Sequence, residues 1–95
     1  MNPSTFVLPA VLTHAQASAT ALALVQAVQA QPRLTLDASA LQQFDSSALA
    51  VLLAGLRAAS EQGGHITVQA LPPRAASLAR VYGLAELLQL PVASA

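Results

Sequence analysis

Leu34-Thr35-Leu36-Asp37, followed about eight residues later by Asp45-Ser46-Ser47-Ala48-Leu49-Ala50-Val51-Leu52-Leu53, decides how the whole chain reads. The first stretch alternates apolar and polar residues, the period of a strand with one buried face. Asp45, Ser46 and Ser47 are residue types that cap a helix start. Leu49, Leu52, Leu53 and Leu56 then follow at i, i+3, i+4 and i+7, a stripe along one helical face. That helix is expected to run to about Gln62 and to stop at Gly63-Gly64, where Gly63 can take the left-handed conformation common at helix ends.

Working outward, Thr5 to Leu8 is a short apolar run of strand formers, interrupted at Pro9-Ala10 and resumed over Val11 to Thr13. A bent strand or a tight hairpin fits both halves. Ala15 to Gln31 is rich in Ala, Leu and Gln, which favour helix, with Leu22, Val25 and Val28 on one face and Pro32 beyond the end. Downstream, Ile66 to Ala70 is a further strand. Pro72-Pro73 opens a helix whose inner face is expected to be Leu78, Val81 and Tyr82. Gly83 stops it, and Leu84 to Leu88 supplies one more apolar helical turn.

The order β, β, α, β, α, β, α, α predicts one α/β domain spanning residues 1–95, with a core over about 5–90. Strands alternating with helices imply parallel pairing through right-handed crossovers. With an antiparallel first hairpin, the expected product is a mixed four-stranded sheet with helices packed against it.

Composition removes several function classes. Hydrophobic residues make up 55% and charged residues 8%, against about 25% charged in typical domains. Such a chain is not disordered, and its wide neutral surface suits a partner interface. The net charge is zero, with four arginines and no lysine. No basic stripe serves nucleic acid, and no polybasic segment holds an anionic membrane. There is no cysteine, which removes disulfides and thiolate metal sites. His14 and His65 alone are too few for a typical zinc site. Ala21 to Ala30, the most apolar stretch, is broken by Gln26 and Gln29 and is too short to span a bilayer. Phe6 to Leu12 lacks the basic flank of a signal peptide, so the chain reads as cytoplasmic. No Gly-x-Ser-x-Gly elbow and no glycine-rich phosphate loop is present. Neither histidine is placed beside Ser47 by sequence, so an enzyme is not expected, nor a cofactor. Asp37 reads as a solvated loop carboxylate, and Arg57, Arg74 and Arg80 as solvated helix residues.

A strand ending Leu36-Asp37, then Asp45-Ser46-Ser47-Ala48-Leu49 opening a leucine-rich helix, then Leu71-Pro72-Pro73, Tyr82-Gly83-Leu84 and Leu87-Leu88, resembles the STAS domain family. That family includes anti-sigma-factor antagonists, stressosome proteins, anion transporters and a phospholipid transporter. The short, stand-alone, alanine-rich form resembles the MlaB type most. The resemblance implies a STAS-like (SpoIIAA-like) fold and a non-catalytic subunit of an Mla-type phospholipid ABC transporter, which maintains outer-membrane lipid asymmetry. Such a subunit binds and regulates or stabilises the transporter ATPase and meets the inner face of the membrane only through the complex. By the same resemblance, Ser46 takes the place of the hydroxyl residue at the ATPase contact. Ser47 takes the place phosphorylated in the anti-sigma-factor antagonists. Ala48 departs from the glycine usual there, and its Cβ limits the close approach a kinase would need.

The docking surface is accordingly expected to include Asp45, Ser46 and Ser47 with the outward alanines Ala50, Ala54 and Ala75. A helix start offers uncommitted N–H groups, and small uncharged residues allow close packing at little desolvation cost. Two other functions compete: a phosphorylation switch that binds an anti-sigma serine kinase through Ser47, and a small-molecule or nucleotide-binding STAS domain. Neighbouring genes discriminate the first two, since a transporter ATPase gene favours one and a kinase gene the other.

Overall fold

The computed structural model describes residues 4–31 and 33–84. In chain order the elements are β1 (Ser4–Val7), β2 (Val11–Leu12), α1 (His14–Ala30), β3 (Arg33–Asp37), β4 (Gln43–Phe44), α2 (Ser46–Glu61), β5 (His65–Gln69) and α3 (Pro73–Val81). Three of the strands form a sheet in the order β1-β3-β5, with both pairings parallel. Phe6 lies opposite Leu36, and Leu36 opposite Val68. Parallel neighbours require a crossover, and α1 and α2 supply the two crossovers. Both step the sheet in the same direction, so right-handed connections put both helices on one face. Leu34, Leu36 and Ile66 are buried under them, while Thr5 and Thr67 on the opposite strand face are exposed.

The expected first hairpin and mixed four-stranded sheet are corrected here. β1 and β2 do not pair with each other. The chain runs on beside β3 past the end of β1, with Leu8 N–H donating to the Asp37 carbonyl at 2.9 Å. It then bends at Pro9-Ala10, and β2 pairs parallel with β4 in a separate two-stranded ladder. Pro9 has no N–H to continue a ladder. The Ala10 carbonyl instead accepts from Gln42 and Gln43 N–H at 2.8 and 2.9 Å, which starts the second ladder. The bent-strand alternative is the one realised, and every described pairing is parallel.

The α2 helix occupies the middle of the core. It buries Leu49 and Leu52 of the leucine stripe together with Ala48, Val51, Gly55, Ala58 and Ala59, and Leu56 packs against them half-buried. Gly63 (φ 68°) and Gly83 (φ 74°) end α2 and α3 in the left-handed conformation. In both cases the next residue's N–H reaches back five positions, Gly64 to Ala59 and Leu84 to Ala79, each at 2.8 Å, which satisfies carbonyls the helix leaves open. Ala70 also takes a positive φ, 58°, as the chain turns from β5 toward α3, at a cost of about 1–2 kcal/mol.

The two expected inner faces hold only in part. In α1 Val28 is buried and Val25 packs half-buried against the core as expected, but Leu24 is buried in place of Leu22, which is 61% exposed. In α3 the buried residues are Ala75 and Ala79, Leu78 is half-buried, and Val81 and Tyr82 are exposed. In α3 small residues take the inner face because they let the helix approach closely. Pro32, residues 85–88 of the expected last helical turn, and Leu87-Leu88 of the family ending lie outside the described residues.

Candidate docking surface

Asp45 is built into a junction. It precedes α2 as its N-cap, and its carboxylate accepts from Ser47 N–H at 2.8 Å. The other carboxylate oxygen accepts from His14 N–H at 3.2 Å, in the first turn of α1. One side chain therefore satisfies open donors at two helix starts, its own and that at His14, 31 positions away. Thr13 completes the α1 start in a capping box, with its N–H and hydroxyl both donating to the Gln16 side chain at 3.0 and 2.7 Å. The Ser47 N–H holds the Asp45 carboxyl below its ordinary pKa, aided by the His14 N–H, the Ser47 hydroxyl and the His14 charge. Asp37 is held low in the same way by the N–H and hydroxyl of Ser39, which close a tight turn at the end of β3.

These shifts fix a pH dependence. A carboxyl whose folded pKa is depressed stabilises the fold above its unfolded pKa, and that contribution disappears as pH falls through the folded value. Asp45→Asn is therefore expected to lower the melting temperature at neutral pH and to flatten the loss of stability at acid pH. The slope due to Asp37 should remain. Thermal unfolding of both proteins across the acid range checks this, and parallel curves would show that Asp45 contributes nothing.

With Asp45 committed as a cap, the neighbouring residues separate. Ser46 is exposed, and its side chain has no hydrogen-bond partner among the described residues. Ser47 is half-buried, with its hydroxyl turned to Asp45. Ala50 is exposed and Ala54 half-buried, one turn further along α2. Ala75 is corrected: at 2% exposure it belongs to the core and leaves the surface set.

Ser46 and Ala50 meet Leu49, Leu53, Tyr82 and Leu84 around a shallow groove of about 280 Å³. A second groove, of about 480 Å³, lies between Phe44 and the outer side of α3. Val81, 81% exposed, and Tyr82, 57% exposed, stand at the end of α3 between them. Sequence reasoning placed Val81 and Tyr82 inside, counted Leu53 only in the leucine stripe of α2, and left Phe44 without a role. The available signal was Gly83, which ends α3 at that point, so the last large side chains overhang the core instead of filling it.

His14 does come beside Asp45, which sequence alone did not place. His14 meets Asp45 through its backbone N–H, and among the described residues no imidazole is hydrogen-bonded to the Ser47 hydroxyl, as a hydrolase triad would require. His65 lies at the start of β5 opposite Arg33, in a different part of the sheet. Among the described residues no three His, Asp or Glu side chains converge as metal ligands, and no helix is long and apolar enough to cross a membrane.

The described residues thus form a parallel α/β domain with a capped, exposed helix start beside an apolar shelf. The family model described as Mlab, STAS domain, matches residues 2–89. The chain belongs to the STAS domain family. Within that family it is most like the MlaB type. STAS domains are generally non-enzymatic and mediate protein–protein interactions. Among curated proteins, none matches the chain.

Proposed function

We propose that this chain is a non-catalytic subunit that docks on the ATPase of an Mla-type phospholipid ABC transporter and regulates or stabilises it. It would act in the cytoplasm, at the inner face of the membrane, and reach the bilayer only through the complex. One observation carries the docking reading. Ser46 stands exposed and uncommitted at the head of α2, beside a groove lined by Leu49, Ala50, Leu53 and Tyr82. A partner can bury that shelf with little charge desolvation, while Asp45 keeps the helix start rigid beneath it. The affinity of the family for protein partners supports this reading. The phosphorylation switch is less well supported, since Ala48 stands where the anti-sigma-factor antagonists usually carry glycine and its Cβ limits the close approach a kinase would need.

Ser46→Arg is the test. The site is at an exposed helix end, so circular dichroism and melting temperature should stay at wild-type values. A large charged side chain at the centre of a well-packed interface is expected to weaken binding by about 2 kcal/mol. The readout is co-purification with a candidate Mla-type ATPase from the same host and the hydrolysis rate of that ATPase. A folded variant that co-purifies at wild-type yield and supports the normal rate would remove Ser46 from the interface.

A further inference from the structure

The groove between β4 and α3 has its own electrostatics. Phe44, Pro73, Leu78 and Val81 give it apolar walls, Ser77 adds a hydroxyl, and Arg74 is the single charged residue among the described residues that line it. Arg74 sits in the first turn of α3, where the helix dipole disfavours a cation. Its guanidinium lies 5.3 Å from the Phe44 ring centroid, a cation–π contact. No ion pair is found for it among the described residues. A cation and the positive end of a helix thus converge on one rim of an apolar trough, with no acid among the described residues of its lining.

We infer that this groove receives a bulky apolar side chain of a protein partner, with a carboxylate of the same segment seated on the Arg74 guanidinium. The inference rests on reading the α2–α3 face as the docking surface and adds the chemistry of what docks. Charge complementarity selects the acid, because a carboxylate answers both the Arg74 charge and the α3 dipole. The same groove chemistry could attract a fatty acid. Val81 on its wall is 81% exposed, however, and small-ligand sites bury most of their ligand. A partner protein supplies the missing wall itself.

The experiment pans a random dodecapeptide phage library against the purified chain. Free peptides made from the enriched sequences are then titrated against wild type, Arg74→Glu, Val81→Arg and Ser46→Arg, with sodium oleate as a second probe. Circular dichroism establishes that each variant is folded. Enriched peptides should carry a large apolar residue within a few positions of Asp or Glu. Affinity should fall about tenfold in Arg74→Glu and by a similar factor in Val81→Arg, but hold in Ser46→Arg, which lies outside this groove. Panning on Arg74→Glu should exchange the acid for Lys or Arg. No enrichment, a consensus without an acid, or undiminished binding to Arg74→Glu overturns the inference, as does oleate binding without peptide binding. Peptides behaving as expected while Ser46→Arg retains the ATPase would sink the Ser46 contact alone. Loss of the ATPase in Ser46→Arg with no peptide consensus would sink the groove alone.

Discussion

Leu52→Ala is expected to cost about 2–5 kcal/mol of folding stability. Leu52 is 2% exposed on the inner face of α2, in one cluster with Leu36, Leu49 and Ile66. Truncation removes its transfer free energy and leaves a cavity that the surrounding elements close only in part. Small domains have about 5–15 kcal/mol in total, so the variant should unfold at much lower urea. Leu22→Ala is the internal control. Its side chain is mostly in water, so the change should stay within about 0.5 kcal/mol. Similar unfolding midpoints for the two variants would mean that α2 does not present this face to the sheet.

Gly55→Val is expected to cost about 3 kcal/mol, by crowding instead of a cavity. A Cβ at residue 55 would lie 2.5 Å from Leu24 Cδ2, 2.9 Å from Leu24 Cγ and 3.2 Å from Ile66 Cδ1. Leu24 is fully buried and cannot swing into solvent. In a helix interior, glycine is about 1 kcal/mol worse than alanine, so its presence here reflects how closely α1 and α2 approach. Leu24→Ala in the Gly55→Val background opens the space that valine needs. The double-mutant cycle should therefore show the two changes partly cancelling. Strict additivity, or a neutral Gly55→Val, would show that α1 and α2 are not in contact at this point.

The sequence carried the fold wherever spacing or a special residue leaves a trace. The alternation of β3, the leucine stripe of α2, the stop at Gly63 and the cap at Asp45 were all legible. What was not legible has physical causes. Two-residue strands such as β4 contain no period to detect. The bend at Pro9-Ala10 and a hairpin share the same local signature, and only the register with β3 separates them. In α3 the inner face is set by alanine, whose small size permits close packing, so the larger residues point to the wrong side, and in α1 Leu24 takes the inward place expected of Leu22. This error moved Ala75 onto the surface and Val81 and Tyr82 into the core. Of the docking set, Asp45, Ser46, Ser47 and Ala50 stay on or near the exposed face. A part for α3 was expected through Ala75, and only three-dimensional placement showed Val81 and Tyr82 exposed there instead.

The parallel sheet also bears on how the chain reaches its native state. Each strand of the β1-β3-β5 sheet finds its neighbour about thirty residues away, Ser4 opposite Leu34 and Arg33 opposite His65. No described hairpin offers a quick local nucleus on the microsecond scale. The sheet can close only after both crossover helices have doubled back. During synthesis β3 emerges with one neighbour already made and the other edge bare until His65–Gln69 follows. Folding should accordingly be slow for a domain of this length, and the interval before β5 arrives is when a nascent chain most needs protection from self-association.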